Sequence, residues 1–370
     1  MAFQLNRLER LRKKIHDSNL DGMYIRDTSN IRWLTGFESV FDEESSHVLF
    51  VSDVECLLHS DSRYSSALRK AAAGTPIKVN DEPVGHFSYV LREALNENNK
   101  IGIETTISLG EFRQMEQVLK RSSQSVQLIE TKGLCCSLRG VKDAEEIATM
   151  KKAQAITDAA FDYIVSYIKP GMSERQVQLA LDRFMYDHGS VGLAFGTIVA
   201  TGSHAASPHA QPGDTIIQPG DAIVMDFGAC VNDYCSDMTR TVFVGEPSED
   251  MARAFSALQK ANKTCEEMLH PGVIASDVHN EAMRILAEAG FEGKMGHALG
   301  HSVGIDIHEE PNLSPRNNTP LEAGNVVTVE PGIYCDGQFG MRLEDFGVIT
   351  EDGFEVFTQS THDMVIIEVH

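Results

Sequence analysis

Two acids sit inside otherwise apolar runs. Ile223-Val224-Met225 precedes Asp226, and Val327-Thr328-Val329 precedes Glu330. A carboxylate in such a run must be paired or pay a desolvation cost. Each is followed by a turn-rich stretch and a second acid, Asp237 after 11 residues (237 − 226) and Glu344 after 14 (344 − 330). A hairpin brings residues at those separations back side by side, with facing Cβ atoms about 5 Å apart. Four carboxylates converging in one cleft repel one another. Two divalent cations about 3.5–4 Å apart relieve that repulsion best, because a carboxylate can bridge them. Salt bridges to Arg240 and Arg342 are the competing explanation, and they neutralise two of the acids at most.

Histidines extend the pattern. His297, His301 and His308 lie in the run GHALGHSVGIDIHEE, and His209 in SPHAQPGD precedes Asp226 by 17 residues (226 − 209). An imidazole among carboxylates makes an oxygen-rich site that suits manganese, cobalt or ferrous iron better than a structural zinc, which favours thiolates. Cys230, Cys235 and Cys335 flank the acids without the spacing of a thiolate site and read as packing residues.

These residues need elements to hold them, and the chain repeats itself to provide them. A helical pattern over Lys142–Ile168 stops at Lys169-Pro170-Gly171. Ser173 opens a second helix with a Ser-x-x-Gln capping box, and a strand-like run AIVMDFGA follows Pro219-Gly220-Asp221. Met251–Leu269 is likewise helical to His270-Pro271-Gly272. Ser276 is then expected to open a helix ending at Gly290, and VVTVEPGI follows Ala323-Gly324-Asn325. Gly220 to Gly324 and Asp226 to Glu330 share one offset, 104 (330 − 226). Two helices and a strand pair, twice over, predict a pseudo-symmetric domain with its cleft between the halves.

Residues 1–133 read as a separate α/β domain with a mixed sheet. Short apolar runs (Met23–Ile25, Val48–Val51, Cys56–His59, Ile101–Ile103, Val126–Ile129) alternate with amphipathic stretches such as Phe87–Leu95 and Leu109–Leu119. His47, His59 and His86 stand apart from one another in sequence and read as packed or surface residues. The expected role of this domain is structural, with substrate covering as its functional option. GLCCSLRG, residues 133–140, is the expected crossing, and 140–370 the second domain.

The 370 residues are 42% hydrophobic, enough for two cores, and carry a net charge of −22. So acidic a chain argues against nucleic acid or an anionic membrane as partner. No apolar run reaches the roughly 18 residues of a membrane span, and the start, MAFQLNRLERLRKK, lacks the features of a secretory signal. Seven cysteines with no CxxC pair read as reduced thiols of a cytoplasmic protein.

DFGACVNDYCSDMTRT, MGHALGHSVGIDIHEEP, TVEPGIY and MRLEDFGVIT, in that order, resemble the signatures of the Xaa-Pro peptidase family of dinuclear metallopeptidases. That family holds aminopeptidase P and prolidase and is related to methionine aminopeptidase and creatinase. SPHAQPGD, SNIRWLTGF and SDSRY match its proline-peptidase branch. The resemblance implies a creatinase-like N-terminal domain followed by a "pita-bread" catalytic domain. By position, Asp226 would chelate one metal, His301 and Glu330 the other, and Asp237 and Glu344 would bridge both. The cofactor would be two divalent ions, manganese first, with cobalt, ferrous iron or zinc as alternatives. A hydroxide held between them would attack the scissile carbonyl, with Glu330 as proton shuttle. His297 would go to the substrate, His209 and His308 would hold the carbonyl, and Arg342 would bind substrate or orient the acids. A homodimer is implied on the same ground.

The bond before proline is a tertiary amide without an N–H, so a peptidase for it must recognise the ring. Many prolidase-like members carry an arginine that binds the dipeptide carboxylate at a position which here is Asn312, in HEEPNLS. Loss of that charge-assisted contact favours an aminopeptidase acting on longer Xaa-Pro peptides over a dipeptidase. More remote alternatives are a metal-free creatinase-like amidinohydrolase and a non-catalytic binding module. The filled ligand positions argue against both.

Overall fold

The computed structural model describes residues 2–38, 40–42, 46–122 and 124–369. The chain divides into two compact units, Met1–Arg139 and Gly140–His370. Residues 136–139, in the expected crossing, form a short helix belonging to the first unit.

The first unit is a six-stranded mixed sheet flanked by helices. Its elements are α1 (Ala2–Asp17), β1 (Gly22–Ile25), α2 (Thr28–Thr35), β2 (His47–Ser52), β3 (Cys56–Ser60), α3 (Ser65–Ala72), β4 (Lys78–Asn80), α4 (His86–Ala94), β5 (Lys100–Glu104), α5 (Leu109–Arg121), β6 (Gln127–Thr131) and α6 (Cys136–Arg139). The sheet order is β4-β3-β2-β1-β5-β6. β1, β2 and β3 are antiparallel neighbours, while β4, β5 and β6 join in parallel. Central strands β1 to β3 are buried at every residue, as strands covered on both faces must be. The apolar runs seen in the sequence fall in β1, β2, β3, β5 and β6. Helices α2 and α3 and the short β4 gave no comparable periodic signal. His59 and His86 meet, with Nδ1 atoms 2.7 Å apart.

The second unit contains the repeat. Its first half runs α7 (Ala144–Tyr167), α8 (Glu174–Asp187), β7 (Gly192–Leu193), β8 (Ile198–Thr201), β9 (Ala222–Phe227), β10 (Ala229–Val231), β11 (Tyr234–Cys235) and β12 (Met238–Val244). The second runs α9 (Glu249–Met268), α10 (Ala275–Glu288), β13 (Val326–Val329), β14 (Gly332–Cys335), β15 (Phe339–Arg342) and β16 (Asp345–Thr350), then β17 (Gly353–Val356) and β18 (Val365–Ile367). The entrance to the second helix is held identically in both halves. Gly171 N–H donates to Ile217 and Ile217 N–H to Met172; Gly272 N–H donates to Leu321 and Leu321 N–H to Val273. Gly171 and Gly272 both have φ of 91°, a left-handed conformation that only glycine adopts without strain.

One detail departs from the sequence expectation. Ser173 caps α8 through the expected capping box with Gln176, but Ser276 does not cap α10. The helix begins at Ala275, with Ile274 at the cap and bridged to Pro320, as Ser173 is to Ile216. Ser276 lies inside the first turn, and its hydroxyl donates to Asn318 Oδ1 at 3.1 Å. The same backbone bridge holds both helix starts; a side-chain cap is added at Ser173, and the apolar Ile274 has none to offer.

β9 lies between β8 and β12, and β16 lies between β13 and β17. Ile223, Met225 and Phe227 of β9 pack on α7 and α8, while Val327 and Val329 of β13 belong to the core that includes α9 and α10. The helices therefore cover one side of these strands, and the acids occupy positions facing away from that apolar packing.

Candidate metal centre

Asp226 is in β9, with Thr239 of β12 as its register partner. Continuing that register two residues pairs 228 with 237, so Asp226 and Asp237 are diagonal neighbours on one face. In the second half Val329 pairs with Asp345, and the next position places Glu330 opposite Glu344. The hairpin expectation of directly facing acids thus describes the second half, and the first half is offset by one pair.

The histidine segment runs beside β13. Thr328 N–H donates to the His301 carbonyl at 2.8 Å, Glu330 N–H donates to Leu299 at 2.9 Å, and His301 N–H donates to Thr328 Oγ1 at 3.0 Å. This closeness explains Gly300, where a Cβ would stand 2.0 Å from the Thr328 carbonyl oxygen. His301 is consequently delivered to the acids. Its Nε2 lies 3.6 Å from Asp237 Oδ2 and 3.4 Å from Glu330 Oε1.

The tautomer follows from the other nitrogen. His301 Nδ1 is 3.2 Å from the Ser302 carbonyl, which can only accept, so Nδ1 carries the proton and Nε2 presents a lone pair to the two acids. Burial lowers the imidazole to about 4, which keeps it neutral near pH 7. Ligand atoms of Asp237, His301 and Glu344 all lie within 4.8 Å of one another.

The acids are electrostatically uncomfortable without a cation. Burial pushes the Glu330 carboxyl up to about 8, partly opposed by Arg342. Asp237 and Glu344 are raised well above the usual range, first by burial and then by neighbouring carboxylates: Asp226 and Glu330 act on Asp237, and Asp237, Glu330 and Asp226 on Glu344. Asp226 is raised by burial against the pull of Arg342. Its Oδ2 accepts from Arg342 Nη2, while Oδ1 is buried with no hydrogen-bond partner. An orphaned carboxylate oxygen, a neutral imidazole with a free lone pair, and mutually repelling oxygen donors all fit divalent metal.

Salt bridging covers only one of these acids. Arg342 pairs with Asp226, whereas Arg240 pairs with Asp345, outside the cluster, at 2.7 Å. Arg342 also donates from Nε to Thr239 Oγ1 (2.9 Å) and from Nη1 to Tyr334 OH (2.9 Å) and the Pro208 carbonyl (3.3 Å). Thr239 Oγ1 in turn donates to Glu344 Oε2 at 2.6 Å.

A cavity of about 480 Å³ opens over the cluster and is lined from both halves of the repeat. His209, His297, His301 and His308 all reach it, with Asp226, Asp237, Glu330, Arg342 and Glu344. The His308 ring packs edge-on to that of His301, centroids 4.4 Å apart. His297 has both nitrogens engaged. Nδ1 is 2.7 Å from the Ala298 carbonyl and Nε2 3.0 Å from Tyr334 OH, so a substrate contact at Nε2 displaces Tyr334. Asn312 lines the cavity with its amide turned to Glu310, Nδ2 donating to both carboxylate oxygens at 3.0 Å.

The sequence reading passed over Thr239, Tyr334, His279 and Lys142. Thr239 and Tyr334 lie inside the quoted motifs, and for Tyr334 a hydroxyl between apolar Ile333 and Cys335 was the available signal. His279 Nδ1 accepts from Leu299 N–H at 3.1 Å, and Lys142 Nζ reaches Ser302 Oγ at 2.7 Å and Glu309 Oε2 at 3.2 Å. Both act over long sequence separations that no local pattern reveals.

Residues 148–351 match Metallopeptidase family M24, and residues 7–141 match the Creatinase/Prolidase N-terminal domain. The chain belongs to the M24 metallopeptidases and, with this N-terminal domain, to their Xaa-Pro dipeptidase and aminopeptidase branch. It is a hydrolase of a family that works with divalent metal ions. An uncharacterized peptidase of Bacillus subtilis, YqhT, is 31% identical over 367 residues, covering 98% of this chain and 100% of that protein. An Xaa-Pro dipeptidase from Bacillus anthracis superposes with a TM-score of 0.90 at 32% identity, covering 98% of this chain and 99% of that one. An X-Pro aminopeptidase from Thermotoga maritima gives 0.84 at 31% identity, covering 96% and 100%. No helix among the described residues is long and apolar enough to cross a membrane.

Proposed function

We propose that the chain is an Xaa-Pro aminopeptidase that removes the residue preceding proline from the N-terminus of peptides, using two divalent ions, manganese by preference. Asp226 would hold one ion, His301 and Glu330 the other, with Asp237 and Glu344 shared between them. The ions would supply an activated water and a Lewis acid. The protein supplies the rest. Arg342, held by Thr239, Tyr334 and Pro208, orients Asp226. Glu330 turns Oε1 towards His301 and Thr328, leaving Oε2 to accept the proton of the attacking water and pass it to the departing proline nitrogen. His308 and His209, at the cavity wall, donate to the carbonyl oxygen as negative charge develops on it. His297 completes the substrate wall beside Tyr334.

One observation carries the preference for longer peptides. Among the described residues lining the cavity, Arg342 is the one permanent cation, and its Nε, Nη1 and Nη2 already have protein partners. Asn312 contributes an amide, so no permanently charged side chain among the described lining residues is left to clamp the carboxylate of a dipeptide. The rival reading, a dipeptidase, is favoured by the likeness to the Bacillus anthracis protein, which is described as an Xaa-Pro dipeptidase. Hydrolysis of matched Xaa-Pro and Xaa-Pro-Xaa peptides at saturating manganese separates the two. Metal analysis of protein purified without chelator tests the centre itself: substantially less than one divalent ion per chain, with no activity gained on adding manganese or cobalt, would sink the metallopeptidase mechanism. A cytoplasmic homodimer completes the proposal, resting on the thiol content and the family resemblance. A concentration-independent monomer in sedimentation removes the dimer.

A further inference from the structure

Glu174, the first residue of α8, is fully buried and lies outside the acid cluster. Its carboxylate closes both ends of one loop. Oε1 accepts from Thr201 N–H at 2.9 Å and from His204 Nδ1 at 2.8 Å, while Oε2 accepts from Gly213 N–H at 3.1 Å. The segment between Thr201 and Gly213 contains His209 and Pro208, whose carbonyl accepts from Arg342. The loop has no room to drift on its other side. Gly340 of β15 meets it so closely that a Cβ would stand 1.7 Å from the Ala205 carbonyl oxygen.

The repeat isolates what the carboxylate adds. Both halves tie the start of the second helix to the segment before the strand by the same backbone bonds. Glu174 N–H donates to Thr215 and Arg175 N–H to Gly213; Ala275 N–H donates to Thr319 and Ser276 N–H to Asn317. The position matching Glu174 at the offset of the paired glycines, 101 (272 − 171), is Ala275, equally buried and without a polar side chain. The helix entrance is therefore complete without an acid. In the first half the acid is therefore free to serve the loop that carries His209, whereas the second-half segment that carries His308 lines the same cavity with no acid at this position.

We propose that Glu174 is a positioning residue for catalysis, clasping the 201–213 loop so that His209 is presented to the substrate carbonyl. This rests on the peptidase reading given above. A rigidly held loop keeps His209 where the transition state needs it, and a misplacement of about 1 Å can cost roughly a hundredfold in rate. A glutamine at this position has one acceptor oxygen and so cannot serve the donors at both ends of the loop.

A double-mutant cycle tests the route of action. His209→Ala should lower kcat/KM by about 10²–10³, and Glu174→Gln by about ten- to a hundredfold. Glu174 acts through His209, so the double variant should fall no further than His209→Ala alone. Multiplying losses would overturn the proposal, as would a Glu174→Gln enzyme with wild-type kcat/KM. Amide hydrogen exchange gives a readout independent of activity: at least one of the Thr201 and Gly213 amides, the one left facing the glutamine NH2, should exchange about five- to tenfold faster in Glu174→Gln, as expected for loss of one hydrogen bond. Unchanged exchange across 201–213 would remove the clasp. A wild type inactive on Xaa-Pro peptides, with the exchange still accelerated in the variant, would instead keep the clasp and remove the peptidase reading. Glu174→Asp, which keeps the charge but shortens the reach, supplies both readouts if the glutamine variant does not fold.

Discussion

Arg342 and Asp226 are joined side chain to side chain across the two halves of the repeat, and Asp226 retains one buried oxygen with no partner. The guanidinium decides which oxygen stays open, because its other donors are fixed by Thr239, Tyr334 and Pro208. Lysine would keep the charge but not the fork that reaches these groups together. Arg342→Lys should therefore weaken metal affinity by about 10–100-fold, the usual cost of losing a group that orients a ligand. A competitive metal titration reads this directly, and wild-type affinity in the variant would make Arg342 a bystander to the centre.

Removing metal should make stability fall as pH rises through neutrality. Glu330 is pushed up to about 8, and Asp226, Asp237 and Glu344 are raised as well. The metal-free folded state therefore binds more protons than the unfolded chain, whose carboxyls titrate near 4. Stability drops by about 1.4 kcal/mol per pH unit for each proton that differs. His297 and His301, both lowered to about 4 by burial, work in the opposite sense below their unfolded value of about 6.5. The carboxylate effect is thus cleanest between about pH 6.5 and 8. Thermal melts with chelator should show Tm declining across that window, and saturating manganese should flatten or reverse the slope.

Ligand and substrate residues should separate by phenotype. Asp237→Ala and Glu344→Ala each remove a shared donor, so both should abolish turnover and reduce bound metal. His308→Ala should keep its metal and lose mostly kcat, by about 10²–10³, as an oxyanion donor does. Metal analysis beside steady-state kinetics makes the comparison. A collapse of metal content in the histidine variant would redraw the division.

Much of this site was readable because its parts are local. An acid inside an apolar run, a matched breaker such as Gly171 or Gly272, and a capping box such as Ser173 with Gln176 each act within a few residues. Register was harder, since pairing Asp226 with Thr239 rather than with Asp237 depends on where β10 and β11 turn. The start of α10 misled for a related reason: its position is set by backbone bonds to distant partners, Ala275 to Thr319 and Ser276 to Asn317, which place Ser276 inside the first turn. His279 on Leu299, Lys142 on Ser302 and Glu174 on Gly213 were invisible for the same cause. A buried polar residue announces that it needs a partner, but only the folded chain names the partner.

Asn312 offers the sharpest test of substrate length. Its amide lines the cavity and is held by Glu310, and among the described lining residues no permanent cation is free to meet a dipeptide carboxylate. The wild type should therefore cleave an Xaa-Pro-Xaa tripeptide at least as efficiently as the matching Xaa-Pro dipeptide. Asn312→Arg should shift kcat/KM towards the dipeptide. A charge-assisted contact worth about 1.5–3 kcal/mol corresponds to roughly a ten- to hundredfold change in that ratio. Glu310 works against the gain, because it can capture the new guanidinium, so Asn312→Arg with Glu310→Gln should shift the ratio further than the single variant. One matched pair of substrates measured on three proteins suffices. A wild type that strongly prefers the dipeptide would reverse the assignment and make the chain a prolidase, and an unchanged ratio in both variants would place the carboxylate site elsewhere.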